Sequence, residues 1–124
     1  MQNILAVAAG GSIGAVLRYG ISELMRRVLP GSTGAGTLVV NVLGCLVIGF
    51  LSVAAERSQL SPETRLFLMT GMLGALTTFS TFGLETTVLA RETGMSTDVF
   101  NVLANLIFGF AAVLIGIKLA GGFR

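Results

Sequence analysis

A chain of 124 residues that is 53% hydrophobic and 11% charged, with a mean hydropathy of +0.88, is not an ordinary soluble domain, in which about 25% of residues are charged. A membrane span takes about 20 apolar residues, so the length holds roughly four spans, and residues 1–124 read as a single four-helix transmembrane domain. Eight basic and six acidic residues, scattered near helix ends, exclude a nucleic-acid surface, and with no histidine and one cysteine a catalytic zinc site and an intrachain disulfide are excluded too.

The first span is expected over about 4–25. No basic leader precedes Ile4, so it reads as a retained helix rather than a cleaved signal. Gly10 and Gly14, with Ser12 and Ala15 nearby, give it a small-residue face for close helix packing. Arg18, beside Tyr19, lies inside this helix, where its charge must snorkel to the interface or meet a partner. Arg26, Arg27, Pro30 and the cluster Gly31-Ser32-Thr33-Gly34 form the first loop.

The second span, about 36–54, carries Thr37 and Asn41 one turn apart on one face, then Gly44, Cys45 and Gly49. Cys45 reads as a small buried packing residue. Asn41 reads either as interhelical hydrogen-bonding glue or as part of a site. After the loop Glu56-Arg57-Ser58-Gln59, Ser61-Pro62-Glu63 supplies an N-cap, a proline at the first helical position and an acid at the positive helix end.

The third span, about 62–90, is long for a single crossing and contains GMLGALTTFSTFGLE, residues 71–85. Backbone in a bilayer finds no water, so a segment with three glycines and the run Thr77-Thr78-Phe79-Ser80-Thr81-Phe82 must be buried in protein or line a wet cavity. A break near Gly74–Thr78 is expected. Two readings of the run stay open. It is a kinked, well-packed helix whose hydroxyls bond back to their own backbone, or it is a donor set for a small anion, with hydroxyl and amide N–H groups donating and phenylalanine edges presenting positive quadrupole density. Neutral donors suit conduction, because an apolar pore would not replace the anion's water and a fixed arginine would hold it too tightly. Carbonyls freed near Gly74 and Thr77 need partners, which water, side chains or a hard cation such as Na+ on a two-fold axis would supply.

Arg91 and Glu92 close this span, Gly94 turns the chain, and Ser96 or Thr97 caps the fourth span, about 98–120. Asn101, Asn105 and Gly109 share one face of it, again as glue or as a polar stripe. Four spans leave Arg57, Arg65, Lys118 and Arg124 on one side and Arg26, Arg27 and Arg91 on the other. That near balance removes the usual orientation bias, so dual topology and an antiparallel homodimer are expected.

These motifs resemble those of the small bacterial fluoride channels called Fluc or CrcB. The likeness covers nearly the whole chain: Gly10-Gly11 to Arg18-Tyr19, Gly36-Thr37-Leu38 with Asn41 and Gly44, Gly71 through Thr77-Thr78-Phe79-Ser80-Thr81-Phe82, and Asn101 with Asn105. The resemblance implies an all-α, antiparallel dual-topology homodimer of four-helix subunits with a broken third helix. It also implies two fluoride pores and a central structural Na+. By this likeness Phe79 and Phe82 line a pore with Asn41, and Ser80, Thr81 and Thr37 belong to its polar track. Gly74 and Thr77 hold the sodium ion through backbone carbonyls, Glu85 and Asn105 are accessory, and Arg18 sits near a vestibule. Family members can carry a hydroxyl on the last helix, yet no Ser, Thr or Tyr occurs here from Asp98 onward.

The expected function is therefore a passive fluoride-selective channel in the bacterial inner membrane that lets cytoplasmic fluoride leave, and not an enzyme. Its expected partners are fluoride, a second copy of the chain and the lipid bilayer. The rival is a proton-coupled exporter similar to the small four-helix multidrug transporters. Those depend on an acid in the first span, and here Ile4 to Leu17 has none, leaving Glu85 as the one plausible intramembrane carboxylate. A non-transporting assembly factor is the remaining alternative.

Overall fold

The computed structural model describes residues 1–93 and 95–122, with the side chains of 93 and 95–98 outside the description. The turn expected at Gly94 and the charge of Arg124 thus lie outside the described residues, whereas Ser96 and Thr97, expected as caps, already lie within the last helix, which starts at Met95. Among the described residues the regular structure is all helical, and four helices are long and apolar enough to cross a membrane: Gln2–Val28, Ala35–Glu56, Pro62–Glu92 and Val99–Leu119.

Helix α1 (Gln2–Val28) runs about a turn beyond the expected end of the first span. Glu23 pairs there with Arg26 at 2.8 Å and Arg27 at 2.9 Å, contacts between adjacent turns that hold the last turn together and set cations at the negative helix end. Pro30 then ends it. Helix α2 (Ala35–Glu56) starts after Gly34, whose φ of +91° suits glycine. Arg57 follows α2 and reaches the far end of the chain, donating to the carbonyls of Ala120 at 3.0 Å and Gly121 at 2.5 Å. The guanidinium of Arg65 likewise donates to the Ala55 carbonyl, so two arginines satisfy carbonyls at helix C-termini.

The third span begins as α3 (Pro62–Arg65), capped by Ser61, whose Oγ accepts the Thr64 N–H at 3.2 Å. It continues as a π-helix over Leu66–Leu73 and returns to α-helical form in α4 (Gly74–Leu76). Thr77 is extended, with φ −78° and ψ 152°, and helix resumes as α5 (Phe79–Thr93) before α6 (Met95–Leu119). The π-helical stretch lies directly on α1. A Cβ added at Gly10 would collide with the Phe67 carbonyl, one at Gly14 with the Met72 carbonyl, and one at Gly71 would sit 2.6 Å from the Val7 carbonyl oxygen. Backbone meets backbone here, the close approach that small residues allow between membrane helices.

On the other side of the bundle α2 packs along α6, with Gly49 against Val113 and Gly116 against Leu46. Between the two pairs sits a small apolar core of Val40, Leu73 and Leu76, with Ile21, Ile48, Leu51 and Met72 packed on it. Outward faces carry large exposed apolar side chains such as Leu5, Val16, Phe100 and Phe108, as lipid contact requires.

The α1 contact yields a direct test. Gly14→Ala is expected to lower the stability of the purified protein in detergent by about 1–3 kcal/mol, because neither backbone can yield to the new methyl. Gly20→Ala, at a position with nothing within 4 Å, is the control expected to change stability little. Equal thermal melts of the two variants would contradict the close approach.

Candidate functional site

The site forms where the third span loses its helical bonding. Thr77 still closes the last turn, its N–H donating to the Leu73 carbonyl at 3.1 Å and its Oγ1 to the same oxygen at 3.0 Å. Its methyl occupies the space over Gly44, where any Cβ on α2 would collide with it. The chain then turns out of the helix, and the peptide of Thr78 takes its partner from α2. The Thr78 N–H donates to Asn41 Oδ1 at 2.9 Å, and Asn41 Nδ2 leans toward the Thr78 carbonyl at 3.4 Å.

Thr78 also starts the next helix. Its Oγ1 accepts the Thr81 N–H at 3.3 Å, the N-cap arrangement at the third helical position. The same hydroxyl donates to Thr81 Oγ1 at 3.0 Å and lies 3.4 Å from Ser80 Oγ. Three hydroxyls are thereby linked around the first turn of α5. Two carbonyls lose their ordinary α-helical donors in consequence. The N–H four residues after Gly74 is that of Thr78, which goes to Asn41, and the N–H four residues after Thr77 is that of Thr81, which goes to the Thr78 hydroxyl. These are hard neutral oxygen donors of the kind a sodium ion takes.

Phe79 and Phe82 project from the same turn, ring centroids 5.7 Å apart and tilted by 55°. They border a cavity of about 440 Å³ that is also lined by Asn41, Gly74, Thr77, Thr78 and Asn105. Among the described residues no charged one lines it. Phe79 is 84% exposed although it walls this cavity, so the chain itself does not cover that side. Cys45, read from sequence as a packing residue, is half-buried and lines the cavity beside Gly109.

Other residues singled out from sequence lie apart. Thr37 and Glu85 line a second cavity of about 350 Å³ with Ser22, Arg26 and the loop around Gly31 to Gly34. Glu85 Oε2 is buried there without a hydrogen-bond partner. Arg18 is half-buried on α1 and lines neither cavity. Ser80 is exposed and Thr81 half-buried.

The fourth span contributes through Asn105, whose Oδ1 accepts from Asn41 Nδ2 at 3.0 Å. Asn105 Nδ2 donates back to Asn101 O at 3.0 Å and Asn101 Oδ1 at 3.2 Å, and Asn101 Nδ2 donates to Thr86 Oγ1 at 2.8 Å. Two members went unassigned in the sequence reading. Thr78 had a usable signal, a hydroxyl just before a helix restarts. Thr86 had none beyond being a polar residue in a span.

A family model described as CrcB-like protein, Camphor Resistance (CrcB), matches residues 5–117. Among curated relatives, a protein of Shewanella pealeana is 49% identical over 119 residues, covering 96% of both chains. One of Salinibacter ruber is 45% identical over 116 residues, covering 94% of this chain and 87% of its own. One of Shewanella amazonensis is 44% identical over 119 residues, covering 96% of both. All three bear the name fluoride-specific ion channel FluC.

The N-cap role of Thr78 can be measured by itself. Thr78→Val keeps the volume and removes the hydroxyl, and is expected to lower unfolding stability by about 1 kcal/mol. Ser80→Ala, at an exposed position, is expected to change it by less than about half that amount. Equal stabilities for wild type and Thr78→Val would deny the cap.

Proposed function

Since the chain belongs to the CrcB family, we propose that it is a passive, fluoride-selective ion channel of the bacterial inner membrane that exports cytoplasmic fluoride and lowers its toxicity. The observation that carries this reading is the cavity at the interruption of the third span. It combines two phenylalanine rings, the amides of Asn41 and Asn105 and the hydroxyl-bearing Thr77 and Thr78, with no charged lining residue among the described residues.

The chemistry follows from that composition. Fluoride is small and holds its water strongly, so a path for it must replace water with donors. Hydroxyl groups at Thr78, Ser80 and Thr81 and the ring edges of Phe79 and Phe82 offer such contacts, and Asn41 stands in the same wall, whereas Thr37, expected in the polar track, opens onto the second cavity. Because these donors are neutral, the anion is stabilised without being held in place, which is what throughput requires. Arg18 near a vestibule gathers anions from solution, and Glu85 and Asn105 are accessory. Direction needs no coupling: fluoride that entered as neutral HF and dissociated inside leaves under an inside-negative potential.

The working unit in this reading is an antiparallel, dual-topology homodimer in which each third helix is broken at Thr77–Thr78. The exposure of Phe79 and the near balance of basic residues across the membrane support it, since a second copy would cover the open cavity wall. A structural Na+ fits the Gly74 and Thr77 carbonyls, which are deprived of their helical donors. When bound, the ion would supply the charge that satisfies those oxygens on the two-fold axis.

Efflux from liposomes holding the purified protein, started with valinomycin at fixed pH and followed by a fluoride electrode, tests the reading. Fast fluoride loss without a proton gradient, and little chloride loss, is the expected result. Efflux that demands a proton gradient would instead favour a coupled exporter. Phe79→Ile and Phe82→Ile should each slow fluoride efflux by at least about tenfold with the oligomer intact, as removal of a site donor does elsewhere. Unchanged flux in both would remove the ring edges from the mechanism. Elemental analysis of purified protein should find sodium retained after exchange into sodium-free buffer, and an intact dimer without it would remove the central ion.

A further inference from the structure

Three asparagines from two helices are joined end to end, and both ends of the row are fixed by backbone. At one end the Asn101 carbonyl, which can only accept, lies 3.0 Å from Asn105 Nδ2. At the other the Thr78 N–H, which can only donate, lies 2.9 Å from Asn41 Oδ1. Between them Asn41 Nδ2 donates to Asn105 Oδ1 at 3.0 Å. A side-chain amide can turn over, exchanging its donor and acceptor ends. Turning Asn105 would set its oxygen against the Asn101 carbonyl and Oδ1, and its nitrogen against Asn41 Nδ2. Turning Asn41 would set its nitrogen against the Thr78 N–H. Every reversed state leaves buried polar groups facing their own kind, and the two backbone ends forbid a concerted reversal.

From this geometry we propose that Asn101 and Asn105 are positioning residues for permeation, forming with Asn41 a one-way amide relay that runs from the Thr78 peptide to Thr86 and clamps the interruption of the third span. Asn101 is 9% exposed, so its amide has no water to fall back on. It accepts from Asn105 at 3.2 Å and donates to Thr86 Oγ1 at 2.8 Å, which ties α6 to α5. Chains of such bonds strengthen one another in a low dielectric. The relay sets Asn41, Asn41 takes the Thr78 N–H from the Gly74 carbonyl, and Thr78 then caps α5. The directions of Phe79, Ser80, Thr81 and Phe82 follow from that cap. Asn41's two N–H groups face Asn105 Oδ1 at 3.0 Å and the Thr78 carbonyl at 3.4 Å, so Asn41 acts chiefly by holding the peptide. The consequence for permeation rests on the channel reading above, whereas the relay itself does not.

The experiment has two readouts on the full-length protein. The first is hydrogen exchange of the Thr78 amide, resolved by NMR on 15N-labelled protein in detergent. Asn105→Leu, which keeps the branched shape and removes the acceptor for Asn41, should raise that exchange rate roughly tenfold, with amides of α2 unchanged. Asn101→Leu leaves Asn105 the backbone carbonyl alone and should give a smaller rise. If Asn105→Leu does not fold, Asn101→Leu carries the test, and wild-type protection of Thr78 in it overturns the relay.

The second readout is fluoride efflux in a double-mutant cycle. Asn105→Leu should slow efflux roughly tenfold by itself. In an Asn41→Ala background it should change the rate by less than about twofold, because Asn105 acts through Asn41. Effects that multiply would mean that Asn105 meets the ion independently, and would overturn its positioning role. Wild-type protein without fluoride efflux would refute the channel reading, while the Thr78 exchange rates would still decide the relay.

Discussion

The peptide of Thr78 is the constraint on which the rest of this structure depends. Inside a bilayer a backbone N–H that leaves its helix finds no water, and an unmet donor there costs several kcal/mol. The chain meets the need with the side-chain amide of Asn41, which places a polar residue inside α2 and requires that residue to be satisfied in turn. Asn105 and Asn101 on α6 satisfy it in sequence. One interruption in one span therefore accounts for Asn41 on α2 and for Asn101 and Asn105 on α6.

Packing serves the same point. The π-helical stretch Leu66–Leu73 rests on α1 through glycines, so the segment leading into the interruption is held backbone to backbone. Gly44 leaves room for the Thr77 methyl, and Val40, Leu73 and Leu76 close an apolar core next to it. A short π-helix inside an α-helix commonly marks a functional position, because it offsets the faces before and after it. Here it lies just ahead of the turn that carries the hydroxyls and both phenylalanines.

The two cavities divide the polar residues by charge. Among the described residues every one that lines the cavity at the interruption is neutral, while Glu85 and Arg26 share the second cavity with Thr37 and the first loop. Neutral donors without a fixed counter-charge suit an ion that must leave as readily as it enters. A pathway of this kind asks for no chemical step from the protein, and its work is the placement of dipoles.

The sequence by itself determined the class of molecule and its family. Apolar runs of spanning length separated by Pro, Gly and Arg are local signals, and the order of the motifs from Gly10 to Asn105 needs no coordinates to be recognised. The candidate residues around Thr77 to Phe82 were likewise legible, because hydroxyls and glycines in a membrane span are costly unless used. Only the tertiary structure decided how they join. Asn41, Thr78, Thr86, Asn101 and Asn105 are up to 64 positions apart in their direct bonds, and no local periodicity states which amide faces which. That Thr37 and Glu85 share one cavity while Asn41 lines another was equally invisible, although Thr37 and Asn41 are one turn apart on α2. Hydrogen bonding between helices depends on their rotation and depth against each other, and those are fixed by packing contacts such as Gly10 on Phe67, which only the folded bundle contains.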